Sequence, residues 1–261
     1  MSAHRFFLTE SLDVLPEDGR TLLPLSATDL HHAVTVLRMR LGTHIVVVEP
    51  DGAAWRAHVL AADHHGVTAD RFERLPPASL AHVTLVQGIA KGDRVDLVVE
   101  KATELGIEAV IPVLTERSVV RLTAEKAAAR GDRWRRVAAA AAKQSQRTSV
   151  PRVSDPGELS TFIAGQLADF DVVLVAWEGA AATGTGIGPA LDEADATPGS
   201  TVAVVVGPEG GLTAEEVYAL ESAGARAVTL GDTVLRSETA GIVASALTLY
   251  ELGSLGGRPR G

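Results

Sequence analysis

Gly207-Pro208-Glu209-Gly210-Gly211 follows the apolar run Val202 to Val206 and precedes a helix start. Glycines let backbone N–H and C=O groups approach a flat or polar molecule with no side chain between, and a helix start presents unpaired N–H donors. One αβ unit later, Leu235-Arg236-Ser237-Glu238-Thr239-Ala240 repeats the arrangement, a polar turn opening a helix after the short strand Ala227 to Leu230. Either turn alone is an ordinary strand-to-helix connection; the pair predicts two loops facing one ligand in a backbone-lined pocket. The chain carries no Gly-x-Gly-x-x-Gly, no Gly-x-x-x-x-Gly-Lys-Ser/Thr and no Gly-x-Ser-x-Gly. The usual dinucleotide, P-loop and nucleophile-elbow chemistries are therefore excluded.

Such turns need a parallel sheet to carry them. From His82 onward strands and helices alternate. Val83 to Ala90 reads as a strand, and Asp93 as the N-cap of a helix that buries Val95, Val98, Val99, Ala102 and Leu105 and ends at Gly106. Ala109 to Leu114 is the next strand, followed by a long helix over about Ala124 to Gln146, the buried strand Asp171 to Trp177 and a Gly/Ala-rich loop near Gly179 to Gly188. Thr213-Ala214-Glu215-Glu216 has capping-box spacing, which gives Glu215 and Glu216 a structural explanation. The last helix, Glu238 to Leu252, is apolar or small on almost every side and must be buried in the core or against another subunit. Ligands of such a sheet sit at the carboxyl ends of its strands, where both turns lie.

The 46% hydrophobic content with 4% aromatic residues suits a core of Val, Leu and Ala, and the absence of cysteine excludes disulfides, thiolate catalysis and cysteine-held metal centres. His31-His32 and His64-His65 are adjacent pairs whose side chains diverge, with no acid or thiol at ligand spacing, so no metal site is read. No signal-peptide core or long apolar segment occurs, giving a cytoplasmic expectation with no membrane partner. The net charge of −9 argues against a nucleic-acid partner as a whole, but Thr115 to Arg152 holds ten basic residues against three acidic ones. That band can attract a polyanion at short range, or be a solvated helix face.

The chain divides near Pro76, with Arg74 to Ser79 as a stiff linker. Residues 1–74 form one expected domain, a small antiparallel barrel or sheet from Ile45 to Val48, Trp55 to Leu60 and Gly66 to Phe72. One helix interrupts it at Ala27 to Leu37, capped by Thr28 or Ser26, with Leu30, Val34 and Leu37 on one face. Residues 80–261 form the second expected domain, of α/β class.

The two turns, with Leu230-Gly231, resemble the cofactor motifs of the SPOUT-class, trefoil-knotted RNA methyltransferases. Within that class, Lys91-Gly92-Asp93-Arg94, Lys101 to Gly106 and Thr115-Glu116-Arg117-Ser118 resemble the RsmE-type 16S ribosomal RNA uridine N3-methyltransferases. Arg5-Phe6-Phe7 and Val36 to Gly42 are similar to that family's PUA-like RNA-binding barrel. Lys143 stands where the family usually has an acidic residue, and Asp232-Thr233 where a pair normally includes arginine.

The resemblance implies a knotted parallel-sheet domain, S-adenosylmethionine as donor, a uridine of small-subunit 16S rRNA as acceptor, and a homodimer. It implies cofactor binding by Gly207, Pro208, Glu209, Gly210, Gly211, Leu230, Gly231, Leu235, Arg236, Ser237 and Ala240, with Ser237 also read as the cap of the last helix. Arg236 is the expected catalytic group, stabilising a uridine anion, unless it is spent in an ion pair with Glu209 or Glu238. Glu238 is expected as a catalytic-site positioning group rather than a base, because a helix N-terminus stabilises its charged form. Arg5, Arg38, Arg40, Arg117 and Arg147 are the expected RNA contacts. A base methylated at its Watson–Crick edge has to be unpaired. Two other readings stay open: ribose 2′-O methylation, and a non-catalytic RNA-binding assembly factor.

Overall fold

The computed structural model describes residues 4–12, 19–75, 81–120, 122–182 and 185–256. Most of the linker reading, at Pro76 to Ser79, lies outside the described residues, as does Arg121 of the basic band. Two compact units result. One spans Met1–Ala78 together with Lys143–Ser149, the other Ser79–Ala142 together with Val150–Gly261.

The first unit contains β1 (His4–Phe7), β2 (Thr21–Leu22), α1 (Ala27–His31), β3 (His44–Val48), β4 (Ala54–Asp63) and β5 (Gly66–Arg74). Its sheet runs β1-β3-β4-β5-β2, and an isolated Leu8–Leu25 bridge joins the two edges around a core that includes Phe6, Ile45, Val47, Ala57, Val59 and Val67. The β1–β3 pair is parallel, so the sheet is mixed rather than wholly antiparallel. At the β4–β5 turn, Asp63 accepts from the His65 N–H at 2.7 Å, and that bond holds its carboxyl below the usual range.

The expected Ala27 to Leu37 helix breaks after one turn. Ser26 caps it, accepting from the Asp29 N–H at 3.1 Å, but His32–Val36 continues as a π-turn. The extra residue per turn brings Leu30, Ala33 and Leu37 to the core in place of the expected face through Val34. Asp29 is buried, accepts from the Ser26 hydroxyl at 3.0 Å, and is paired with Lys143. A basic residue at 143 thus meets a carboxylate buried in its own unit.

The second unit runs β6 (His82–Gly88), α2 (Arg94–Leu105), β7 (Ala109–Leu114), α3 (Ala124–Gln144), β8 (Arg152–Val153), β9 (Gly157–Glu158), α4 (Leu159–Gly165), β10 (Val172–Ala176), α5 (Ile187–Asp192), β11 (Thr201–Val206), α6 (Ala214–Ser222), β12 (Arg226–Val228) and α7 (Ser237–Glu251). The sheet order is β12-β10-β11-β6-β7-β8, with β9 also on β7, and every pair is parallel. β11 shows why these residues make a central strand. Val202, Val204 and Val206 enter one core, Ala203 and Val205 the other, so both faces are covered. α4 and α5 lie where the sequence reading named no helix.

Asp93 does not cap α2 with its side chain; that carboxylate accepts instead from Arg133 at 2.9 Å. The capping box of α6 is present. Thr213 Oγ1 accepts from the Glu216 N–H at 3.2 Å and Glu216 Oε2 from the Thr213 N–H at 2.9 Å, while Oε1 reaches the Glu116 N–H at 2.8 Å. α7 buries one face only. Gly241, Ala244, Thr248 and Leu249 pack inward, whereas Tyr250 is 50% exposed and Leu247 also faces out.

Removing the Thr213 hydroxyl in Thr213→Ala leaves an N-terminal N–H of α6 unpaired and should cost about 1 kcal/mol of stability. Urea denaturation reads this as a lower midpoint at unchanged slope.

Candidate functional site

Three adjacent strands, β12, β10 and β11, end at one cavity of about 510 Å³. Val206 to Leu212 follows β11, Thr229 to Ser237 follows β12, and Ala176 to Glu178 closes β10, with Arg94 and Ala240 completing the lining. The volume lies within the usual range for small-molecule sites. The two turns singled out in the sequence therefore face each other. Gly207, Pro208, Glu209, Gly210, Gly211, Leu230, Gly231, Leu235, Arg236, Ser237 and Ala240 all line this cavity.

The first turn is tightly seated. The Gly211 N–H bonds the Pro208 carbonyl at 2.9 Å and Gly211 has φ +70°, a conformation that favours glycine. A Cβ placed on Gly88 would lie 2.4 Å from the Pro208 nitrogen, so β6 and the turn touch backbone to backbone. Arg117 donates to the Gly210 carbonyl at 2.9 Å and the Leu212 carbonyl at 3.4 Å. It clamps the turn, which differs from its expected part as an RNA contact.

Ser237 does not cap α7. Arg236 holds the N-cap position without a side-chain bond, and the Ser237 hydroxyl donates to the Gly207 carbonyl at 2.6 Å while accepting from Gln87 Nε2 at 2.9 Å. One buried hydroxyl thus ties the second turn to the first. Gln87 escaped the sequence reading, though a long polar side chain in an apolar strand is the kind of residue a satisfied core must explain. Trp177 was also missed as a site residue; its indole lines the cavity and lies within 2.6 Å of where a Cβ on Gly179 would be.

Glu209 Oε1 accepts from the Lys91 N–H at 3.0 Å and from Arg94, whose Nε is also 3.9 Å from Glu238 Oε1. Both acids suggested as partners of Arg236 therefore face Arg94. Arg236 is exposed in the cavity wall and makes no ion pair among the described residues. Glu238 is 14% exposed, does not line the cavity, and reaches it only through Arg94.

The remaining expected RNA contacts separate. Arg38 and Arg40 are exposed. Arg5 is half-buried, and burial lowers its pKa. Arg147 is 8% exposed, and burial pushes it down to about 10, so it belongs to the interior of the first unit rather than to a basic face. Much of the basic band is likewise spent. Arg133 pairs with Asp93 and Asp96, Arg135 with Asp132 and Asp155, and Arg152 with Glu108. Lys126 and Arg130 line a shallow hollow with Val120 and Leu122.

Comparison with known proteins gives the same picture. Residues 76–249 match the RNA methyltransferase domain family and residues 25–70 the RNA methyltransferase PUA domain. The chain is 33% identical to a ribosomal RNA small subunit methyltransferase E of Bacillus subtilis, over 87% of this chain and 89% of that one. It is 37% identical to the protein of that name from Mycobacterium bovis, over 89% and 87%. A crystal structure of a ribosomal RNA small subunit methyltransferase E from Neisseria gonorrhoeae, bound to S-adenosyl methionine, superposes with a TM-score of 0.79 at 30% identity and covers 94% of this chain and 96% of that one.

Gly88→Ala would drive a methyl into the Pro208 backbone, an overpacking expected to cost about 1–3 kcal/mol. Thermal unfolding reads it as a lower Tm, and an unchanged Tm would show that the turn gives way freely.

Proposed function

We propose that this chain, which belongs to the RsmE-type family of RNA methyltransferases, transfers a methyl group from S-adenosylmethionine to N3 of a uridine in 16S ribosomal RNA. The observation that carries this reading is the convergence of the Gly207–Gly211 and Leu230–Ser237 turns on one cavity. The cavity suits the cofactor chemically. Its first turn is a backbone cradle, while Val206, Leu230 and Leu235 give apolar walls for a nucleoside. Glu178 and Asp232 add carboxylates on the wall, complementary to a cationic ligand. When bound, the cofactor supplies an electrophilic methyl on a sulfonium.

The chain's own residues then have separable parts. Arg236, planar, permanently charged and held in no ion pair among the described residues, stabilises negative charge on the uracil as N3 loses its proton. Glu238 acts through Arg94 and positions rather than deprotonates, in keeping with its seat in the first turn of α7. Arg5, Arg38 and Arg40 of the first unit meet RNA phosphates, and such binding weakens as salt rises. The domain division at residues 74–80 fits the two matched families, which meet between residues 70 and 76.

A homodimer and a trefoil knot belong to the same proposal. α7 packs on α2 by one face and leaves Leu247 and Tyr250 exposed, a surface that a second copy would cover. The Ser237 bond to the Gly207 carbonyl holds the start of α7 against the β11 turn, and the knot itself rests on the match to the RNA methyltransferase domain family. A cytoplasmic place of action follows from a ribosomal substrate; among the described residues no helix is long and apolar enough to cross a membrane.

Incubation with labelled cofactor and small ribosomal subunits from a strain lacking the enzyme should yield 3-methyluridine on nucleoside mass analysis. A methyl found on ribose would overturn the N3 assignment, and absence of cofactor uptake in equilibrium titration would leave only an RNA-binding protein. Arg236→Ala should lower kcat by roughly 100-fold or more while the fold persists, in line with losing one charge-stabilising donor. Unchanged turnover would remove its assigned part.

A further inference from the structure

We infer that Gln87 is a positioning residue for the cofactor turn: acting through the Ser237 hydroxyl, its amide fixes the Gly207 carbonyl and with it the shape of Gly207–Gly211. This rests on the reading that the turn holds S-adenosylmethionine.

Gln87, near the end of β6, is 1% exposed. Its Nε2 donates to the Gly88 carbonyl at 3.2 Å and to Ser237 Oγ at 2.9 Å, and Ser237 Oγ donates onward to the Gly207 carbonyl at 2.6 Å. The direction of the relay is set by its ends. A reversed amide would aim Oε1 at the Gly88 carbonyl, and the serine would lose its donor and could meet the oxygen only by giving up its bond to Gly207. Each member polarises the next, as in buried hydrogen-bond chains generally. The Gly207–Pro208 peptide has no N–H of its own, because residue 208 is proline, so the carbonyl is the handle by which that peptide plane can be held.

The amide has nowhere else to go. A Cβ on Gly241 would stand 2.2 Å from Gln87 Oε1, and one on Gly88 would stand 2.4 Å from the Pro208 nitrogen. Oε1 is buried without a hydrogen-bond partner among the described residues. A buried acceptor left unpaired is unfavourable, and an apolar side chain of the same length would fill the space without that cost. Bulk stability therefore does not explain a glutamine at this place. The donor it extends to Ser237 does, since the serine hydroxyl in turn holds the Gly207 carbonyl and joins the two turns.

The test compares wild type, Gln87→Met, Ser237→Ala and the double variant by calorimetric titration with S-adenosylmethionine, steady-state kinetics on small subunits, and amide hydrogen exchange of the free proteins. Each single variant should raise the cofactor Kd roughly tenfold, the scale of one net hydrogen bond. KM for the cofactor should rise by more than kcat falls, and the double variant should be no worse than either single one, because both break one relay. Exchange at Gly210 and Gly211 should quicken in the free variants. A lower Tm with unchanged Kd and unchanged exchange would reduce Gln87 to a packing residue and overturn the inference, as would strictly additive effects. Should Gln87→Met fail to fold, Gln87→Leu decides by the same readouts, since Ser237 itself lines the cavity. A wild-type protein that takes up no S-adenosylmethionine would overturn the cofactor reading instead, while the exchange measurement would still report whether the relay sets the turn.

Discussion

Two loops from opposite sides of β10 have to meet in one place, and the buried bond from the Ser237 hydroxyl to the Gly207 carbonyl is what makes them meet. The parallel sheet delivers each loop to the same edge, but it fixes neither peptide plane. Side chains do that. Arg117 grips the far end of the first turn through the Gly210 and Leu212 carbonyls, and Glu209 ties its middle to the Lys91 N–H and Arg94. A turn with three such anchors presents a shaped surface rather than a mobile one, which lowers the entropy cost of taking up a ligand.

Charge is distributed by the same economy of partners. The sequence concentrates basic residues between Thr115 and Arg152, yet four of them, Arg133, Arg135, Lys143 and Arg152, are matched to Asp93, Asp96, Asp132, Asp155, Glu108 or Asp29. Exposed pairs of this sort add little stability, but they remove field from the surface. Arg236 stands apart because Glu209 and Glu238 both turn toward Arg94. A cation left uncompensated in a cavity wall keeps its capacity to meet negative charge on a ligand.

Local signals were legible in the sequence and long-range ones were not. β11, α2 and the α6 capping box follow from period and cap chemistry within a few residues, and the resemblance in the glycine turns led directly to the family that residues 76–249 match. The role of Ser237 was misread because its position at a helix start suggests a cap, whereas its partners lie 30 and 150 residues away. The π-turn after α1 escaped notice for a related reason. A helical pattern with Leu30, Val34 and Leu37 is sound locally, but the core of the small unit accepts Ala33 instead. Arg147 reads as a surface charge and is interior, since nothing in composition reveals that its segment joins the first unit.

That segment bears on how the polypeptide matures. The first unit takes Lys143–Ser149 from the far side of more than sixty intervening residues, and the carboxylate of Asp29 finds its cation only there. As the chain emerges from the ribosome, the amino-terminal sheet can form early, yet the unit built on it lacks the Lys143–Ser149 segment until synthesis has passed residue 149. The two units are thus linked in time as well as in sequence, because the smaller one gains its last segment only after the first stretch of the larger has been made.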